Sequence, residues 1–244
     1  MRLLLLNGNT DPTITDLLAA RAVEAIPRLG LPATEIVPAT APFGARYIST
    51  RAAVAVAGHA VLAALAEHVG AGNPRGYAAA IIACFGEPGI EAARELLPIP
   101  VVGMAEASIA AALALAPRIA LLTGGALWVP MLEEFCLIRG LGRDRVLVRG
   151  VAPTGDMIAR DPDGAIALLA DAARAAVAQG AGAVVLGGAG LAGLAARVAP
   201  LVGVPVLDSL DCALAAALAG GAGLPRVAQA PLVGVSEALG RWFA

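Results

Sequence analysis

The sequence predicts an α/β protein made of two similar halves, each with a parallel sheet flanked by helices. Three observations lead to this prediction. Strand-like apolar segments alternate with helical segments along the chain. Several of these strands are continuously hydrophobic, which is typical of central strands in parallel sheets that are covered on both faces. Two of them are followed by glycine-rich loops of similar spacing, one beginning at Cys84 and the other at Gly188.

The composition is that of a globular chain with a large apolar core. Of the 244 residues, 59% are hydrophobic and 15% are charged, which suits one large or two small domains. No apolar run is long enough to cross a bilayer, and the N-terminal segment has no small-residue cleavage site. Three cysteines show neither CxxC nor metal-ligand spacing. We therefore expect a cytoplasmic protein with reduced thiols, without a membrane span or secretory leader.

Charge and residue usage exclude several classes of function. The net charge is −2 and only 3% of the residues are aromatic, which argues against a nucleic-acid partner. All 17 basic residues are Arg, so the chain lacks both the Schiff-base lysine of pyridoxal-phosphate enzymes and the lysine of a Walker A loop. The low charge and the many Ala and Leu residues favour a homo-oligomer with a small-molecule substrate.

The order of the predicted elements gives the domain organisation. Strands are expected at residues 2–6, 34–38, 78–84, 101–104, 118–122, 145–150, 183–186 and 204–207. Helices are expected at residues 12–26, 51–69, 88–97, 108–115, 129–139, 163–179, 190–198 and 209–218, with a short one in the tail. This pattern predicts a first domain of residues 1–104 with 208–244, and a second of residues 105–207.

Cys84 is the first candidate functional residue. It ends an apolar run and is followed at once by Gly86, Pro88 and Gly89. We expect Cys84 at the carboxyl end of a central strand, where ligands bind in open α/β sheets, with Pro88 in the first turn of the next helix. The N-terminus of that helix would favour a thiolate, so Cys84 is a candidate base or nucleophile. The alternative is a small buried apolar residue.

The loop at Cys84 has a partner later in the chain. Aligning Cys84 with Gly188 places Gly86 on Gly190 and Gly89 on Gly193. Two similar halves, each with a loop at the ends of its strands, would form a cleft between them.

The second loop also has the spacing of a dinucleotide-binding motif. Gly188, Gly190 and Gly193 spell G-x-G-x-x-G, and Asp208 ends the next predicted strand. That motif normally opens a domain, however, and too little sequence follows Asp208 to complete a nucleotide-binding sheet. We therefore favour an internal repeat over dinucleotide binding.

Five segments together resemble the aspartate/glutamate/hydantoin racemase superfamily, most closely its hydantoin (allantoin) racemase branch. NGNT at residues 7–10 is similar to the NPNT or NPNS opening of that superfamily, and FGARYI at 43–48 to a substrate loop. ACFGEPG at 83–89 resembles the ACFGDPG motif that carries the first catalytic cysteine. PVVGMAEA at 100–107 resembles the segment that follows it. LGGAGLAGLA at 186–195 resembles LGCAGMA, which carries the second cysteine.

The resemblance implies two pseudo-symmetric α/β domains with parallel, flavodoxin-like sheets and an active site in the cleft between them. It also implies catalysis without a cofactor, on substrates with an acidic C–H beside a carbonyl. The chain departs from the pattern at one position, because Gly188 stands where the branch has its second catalytic cysteine. Neither Cys136 nor Cys212 aligns with that position.

The departure leaves three functional hypotheses open. A two-base racemase needs one group on each face of the planar carbanion, and Gly188 offers none. The chain is then a hydantoin- or allantoin-type racemase that works slowly through water, or a decarboxylase, other lyase or isomerase with single-cysteine chemistry. Gly188 could also have been introduced to trap a substrate. The third hypothesis is a non-catalytic small-molecule binding protein that retains the cleft.

In the mechanism that the resemblance implies, the Cys84 thiolate moves a proton at the α-carbon. Backbone N–H groups from both loops would hold the enolate, and polar side chains at the strand ends would anchor the substrate. Glu87, if it points inward, would oppose formation of the thiolate. Helix capping is the alternative role for Asn9 and Thr10, and loop packing for Ile48, Phe43 and Tyr47. The expected substrate-binding residues are Asn7, Asn9, Thr10, Ile48, Phe85, Gly86, Thr123, Ala189 and Gly190.

Overall fold

The computed structural model describes residues 1–151, 161–220 and 230–243, which divide into two compact units. The first unit is Met1–Gly103 with Ala213–Ala244, and the second is Met104–Cys212. The sequence placed these boundaries after residues 104 and 207. The second boundary lies later in the structure because Asp208 still belongs to a strand of the second unit.

The first unit is built on a four-stranded parallel sheet. Its strands are β1 (Arg2–Asn7), β2 (Glu35–Thr40), β3 (Ala79–Ile82) and β4 (Val101–Gly103), in the order β2-β1-β3-β4. The central pair, β1 and β3, is buried on both faces, as their continuous hydrophobic sequences predict. The carboxyl ends of these two strands lie side by side, because Leu6 pairs with Ile82.

Three helices cover this sheet: α1 (Pro12–Arg28), α2 (Arg51–Val69) and α3 (Ile90–Leu96). Asp11 caps α1 by accepting a hydrogen bond from the Thr13 N–H, and Thr50 caps α2 through Ala53. By length and composition alone, α2 could cross a membrane. However, 44% of its most apolar window is buried inside the protein, and core helices commonly share that composition.

The second unit repeats the architecture of the first. Its strands β5 (Ile119–Gly124), β6 (Val146–Val151), β7 (Ala183–Gly187) and β8 (Val206–Asp208) are parallel, in the order β6-β5-β7-β8. Its helices are α4 (Met104–Leu115), α5 (Trp128–Ile138), α6 (Pro162–Ala178), α7 (Ala195–Val198) and α8 (Ser209–Leu218), the last of which continues into the first unit.

The matching strand orders confirm the predicted α/β class with two pseudo-symmetric parallel sheets. In this correspondence β3 matches β7, so the loops that begin near Cys84 and Gly188 are equivalent. Gly89 and Gly193 occupy the same place in the two loops and share a left-handed backbone, with φ of +76° and +84°. The tail ends in a short helix, α9 (Glu237–Gly240), as predicted. The Gly- and Pro-rich start of the tail lies largely outside the described residues.

Two of the helix predictions in the second unit were wrong in detail. The helix predicted from Ser108 begins earlier, at Met104, because the Ser108 hydroxyl donates back to the carbonyls of Met104 and Ala105 and does not cap the helix. The continuous helix predicted at residues 190–198 is instead a 3-10 turn at Ala189–Leu191 followed by the single turn α7. The positive φ of Gly193 interrupts it.

Gly89 is expected to be essential for stability. A Cβ at this position would lie 2.9 Å from the Gly58 carbonyl oxygen on α2, and the backbone is left-handed. Gly89→Ala should therefore lower the free energy of unfolding by about 2–4 kcal/mol, combining conformational strain with overpacking. Urea unfolding measures the change. The matched control is Gly72→Ala, which has φ +71° and no atom within 4 Å of the new Cβ, so that an equal loss in both variants would contradict the packing argument.

Candidate active site

Cys84 lies in a tight turn after β3, partly exposed, two residues beyond the end of the strand. The prediction that Pro88 starts the next helix was wrong. Glu87 and Gly89 both adopt positive φ values, of +48° and +76°, and α3 begins only at Ile90. The turn is closed by the Glu87 N–H, which donates to the Cys84 carbonyl over 2.9 Å.

The environment of the thiol keeps it protonated near neutral pH. The pKa of Cys84 is raised to about 11, chiefly by burial and also by the negative charge of Glu87, while hydrogen bonds from the backbone N–H groups of Gly86 and Glu87 act in the opposite direction. The expected lowering by a helix N-terminus was therefore wrong. The following helix has only seven residues and starts beyond the turn, so that local N–H groups supply the stabilisation and burial outweighs them.

Glu87 points inward, as the sequence analysis considered. Its side chain is only 3% exposed, and its carboxyl group packs against the backbone of Gly103. A Cβ on Gly103 would come within 2.1 Å of the Glu87 carboxyl carbon. Gly103 therefore makes room for a buried carboxylate next to Cys84. No sequence motif indicates this role of Gly103, and a glycine at the end of a strand is its only signal.

Gly8 also makes room next to Cys84. A Cβ on Gly8 would lie 3.3 Å from the Cys84 Cβ and 3.4 Å from the Pro88 Cγ. The loop between β1 and α1 can thus approach the turn at Cys84 closely. Gly8, the glycine of the NGNT segment, allows this close approach because it has no Cβ.

Three predicted substrate anchors lie in the same β1–α1 loop. Asn7 is 1% exposed, and its Nδ2 donates to the Asn9 Oδ1 over 2.8 Å and the Thr15 Oγ1 over 3.1 Å. The Asn9 Oδ1 also accepts from the Asp11 N–H, at 2.9 Å. The Thr10 N–H donates to the loop before α2, and Asp11 is the helix cap. Asn7 therefore organises the loop, whereas Asn9 and Thr10 are both partly exposed.

The loop before α2 carries Tyr47 toward Cys84. Arg46 forms an ion pair with Asp11 at 2.9 Å, and Ile48 is buried at 4% exposure, so both neighbours of Tyr47 are held in place. Tyr47 itself is 61% exposed. Partial burial raises the pKa of Tyr47, and the charge of a Cys84 thiolate raises it further. The pKa of the Tyr47 phenol therefore lies above that of a free tyrosine.

The equivalent loop in the second unit has no side chain where the first has Cys84. Gly188 has φ +133°, and a Cβ built there would meet no atom within 4 Å. Ala189 is partly buried and Gly190 exposed, at the start of a 3-10 turn. Thr123, the other predicted anchor in this unit, is 2% exposed and pairs with Gly187 in the sheet, directly beside this loop.

The remaining cysteines lie on helices of the second unit and stay free thiols. Cys136 is buried on α5, beside a cavity of about 390 Å³, and burial raises its pKa to about 11. Cys212 is partly exposed on α8, where burial and the carboxylates of Asp208 and Asp211 raise its pKa to about 12. Within the described ranges, no cluster of three or more His, Cys, Asp or Glu side chains could hold a metal ion.

Two parallel α/β units of the same strand order, each with a glycine-rich loop after its third strand, define a duplicated α/β fold. The chain belongs to the Asp/Glu/hydantoin racemase family, whose model matches residues 3–217. It is 32% identical over 146 residues to a hydantoin racemase from Pseudomonas sp. (strain NS671), and 30% identical over 144 residues to one from Rhizobium meliloti. These matches cover 59% of this chain, and 58% and 60% of the two relatives.

Solved structures agree with this assignment. An allantoin racemase from Pseudomonas fluorescens superimposes with a TM-score of 0.79 at 31% identity, and the match covers 89% of each chain. An allantoin racemase from Klebsiella pneumoniae gives a TM-score of 0.78 at 28% identity, covering 89% of this chain and 86% of the other. Arylmalonate decarboxylase shares the fold at 18% identity and a TM-score of 0.62, covering 100% and 99% of the two chains.

Proposed function

We propose that the protein is a cofactor-independent racemase or epimerase acting on a hydantoin- or allantoin-like substrate, or one derived from an amino acid, with Cys84 as its acid–base group. The observation that carries the proposal is the position of Cys84. It is a partly exposed thiol after a central parallel strand, with two backbone N–H groups directed at its sulfur. The similarity to hydantoin and allantoin racemases supports this class of substrate.

The proposed reaction is a proton transfer at the carbon beside a carbonyl group. The Cys84 thiolate removes the α-proton, the C–H electron pair becomes that of an enolate, and a proton returned to the carbon completes the cycle. A proton delivered from the Gly188 side comes from water, because Gly188 has no acidic group.

The polar groups around Cys84 suit the charge that this reaction creates. The Tyr47 phenol, whose pKa is raised, is protonated near neutral pH and can donate a hydrogen bond to the enolate oxygen. Asn9 and Thr10 are partly exposed in the adjoining loop and can bind the ureido or amide groups of the ring. On the other side we propose that the backbone N–H groups of Ala189 and Gly190 serve the same purpose.

One observation favours a second candidate, a decarboxylase with single-cysteine chemistry. The raised pKa of Cys84 keeps its proton in place near neutral pH, which suits delivery of a proton more than its removal. In such a reaction the bond to the carboxylate breaks and CO2 leaves, and the electron pair stays on the α-carbon. The Cys84 S–H then protonates that carbon, and water restores the thiol.

Incubation of single enantiomers with the protein tests the proposal. Each enantiomer of allantoin and of several 5-substituted hydantoins is followed by polarimetry. In parallel, α-substituted malonates are followed for CO2 release. We expect loss of optical rotation faster than the spontaneous rate and no CO2. Release of CO2 from the malonates, with unchanged rotation of the hydantoins, would replace the racemase by the lyase. Ligand-induced stabilisation with no turnover of any compound would indicate a binding protein.

A further inference from the structure

Asp208 joins the Gly188 loop to the start of α8 through one buried carboxylate. It ends β8 and is only 4% exposed. Its Oδ2 accepts a hydrogen bond from the Gly193 N–H at 2.6 Å, and its Oδ1 accepts from the Leu210 N–H at 2.9 Å. Since both oxygens accept from backbone groups, Asp208 acts as an internal anchor, in contrast to the part that it would play in a dinucleotide-binding motif.

The first part of the loop that Asp208 anchors has few side-chain restraints, whereas Leu191 and Ala192 in its second part are buried. It runs from Gly188, with φ +133°, to Gly193, with φ +84°, and both glycines lie in a region of φ open to few other residues. A Cβ added at Gly188 or Gly190 would meet no atom within 4 Å. The loop is thus held by β7 at its beginning, by the buried Leu191 and Ala192 in its second part, and by the Asp208 bond at its end.

We propose that Asp208 is a positioning residue of the active site, whose carboxylate fixes the Gly188–Gly193 loop and so aims the backbone N–H groups of Ala189 and Gly190 at the substrate. This inference rests on the proposed function for its effect on turnover, whereas the anchoring of the loop can be measured without any substrate. Asp208 acts only through the loop.

The surroundings of Asp208 make the anchor sensitive to pH. Its pKa is raised to about 6, chiefly by burial and also by the charge of Asp211, while hydrogen bonds from three backbone N–H groups act in the opposite direction. The other charged or titratable side chains on the elements packed against Asp208 are Cys212 on α8, Arg197 on α7 and Glu106 on α4. Arg197 is paired with Asp163 at 2.6 Å, and Glu106 lies 3.8 Å from Arg139.

The carboxylate is ionised above this pKa and protonated below it. A neutral carboxyl group is a weaker acceptor for the Gly193 N–H than a carboxylate. The anchor should therefore hold at pH 7.5 and weaken as the pH falls through about 6.

Hydrogen exchange of a peptide covering residues 188–194, read by mass spectrometry, tests the anchor. In Asp208→Asn, the protection of this loop at pH 7.5, corrected for intrinsic rates, should fall about tenfold or more. The wild-type loop should lose similar protection at pH 5. The matched control, Asp211→Asn, removes the charge that raises the pKa of Asp208, so that it should keep the protection at pH 7.5 and shift its loss to lower pH.

Racemisation assays on the same variants complete the test. Asp208→Asn should lower kcat about tenfold or more with a smaller change in KM, because the donors serve the transition state. Unchanged loop protection in Asp208→Asn, or a loosened loop with wild-type kcat, would overturn the inference while leaving the proposed function intact. A wild-type protein inactive on every substrate would overturn the proposed function, and the protection data alone would then decide whether Asp208 is the anchor.

Discussion

Replacing Cys84 by alanine should reduce proton exchange at the α-carbon of the substrate about 1000-fold, because the substitution removes the proposed acid–base group. Exchange is measured by NMR as the loss of the α-proton signal in D2O, with spontaneous exchange subtracted. The variant should fold normally, since alanine differs from the partly exposed cysteine only by the sulfur. Its thermal unfolding temperature provides the check on folding.

The pH dependence of the wild-type activity provides a second, independent test of the role of Cys84. Because the pKa of the thiol is raised to about 11, the thiolate fraction of the free protein grows about tenfold per pH unit below that value. The wild-type kcat/KM should rise accordingly between neutral pH and about pH 10. Cys136→Ala, which alters a buried thiol on α5, should retain both the activity and this profile. Exchange in Cys84→Ala at the wild-type rate would show that another group carries the proton.

Restoring a thiol on the other face should also have a large effect. Gly188→Cys is expected to increase the rate of optical inversion relative to deuterium exchange about tenfold or more, since it supplies the second acid–base group that the substrate face lacks. The site has room for the side chain, because no atom lies within 4 Å of the new Cβ. The φ of +133° opposes the substitution and should lower the free energy of unfolding by about 1–3 kcal/mol.

The matched control for this gain is Gly188→Ala. It pays the same conformational cost and fills the same space, but it adds no thiol. It should be destabilised to a similar extent and show no faster inversion. A folded Gly188→Cys protein without faster inversion, or an equal gain in the alanine variant, would contradict the assignment of Gly188 to the vacant base position.

The sheets were predicted well because buried strands are recognisable in the sequence as continuous apolar runs. Continuous apolar runs such as the one that becomes β1 have no other stable place than the centre of a covered parallel sheet. The glycine match between the two loops was equally informative, since Gly89 and Gly193 both require a left-handed backbone. Patterns of this kind are set by residues that are neighbours in the sequence, and they depend little on contacts with distant segments.

The chemistry of the site was harder to predict because it depends on contacts between segments distant in sequence. Pro88 has the local signature of a first helical turn, but the left-handed Glu87 and Gly89 extend the turn past it. The raised pKa of Cys84 follows from its burial and the inward Glu87, and that carboxylate needs the space left by Gly103. Motif spacing likewise could not show that the Asp208 carboxylate accepts hydrogen bonds from the Gly193 and Leu210 N–H groups.

The central claim is that Cys84 works on one face of the substrate and that no protein base works on the other. Its most direct test is the ratio of deuterium uptake to loss of optical rotation, measured for each enantiomer of a hydantoin with the wild-type protein in D2O. One enantiomer should take up deuterium several times faster than it loses rotation, because Cys84 returns deuterium to the face from which it took the proton, and the other enantiomer should exchange more slowly. Equal rates of uptake and inversion for both enantiomers would contradict the claim.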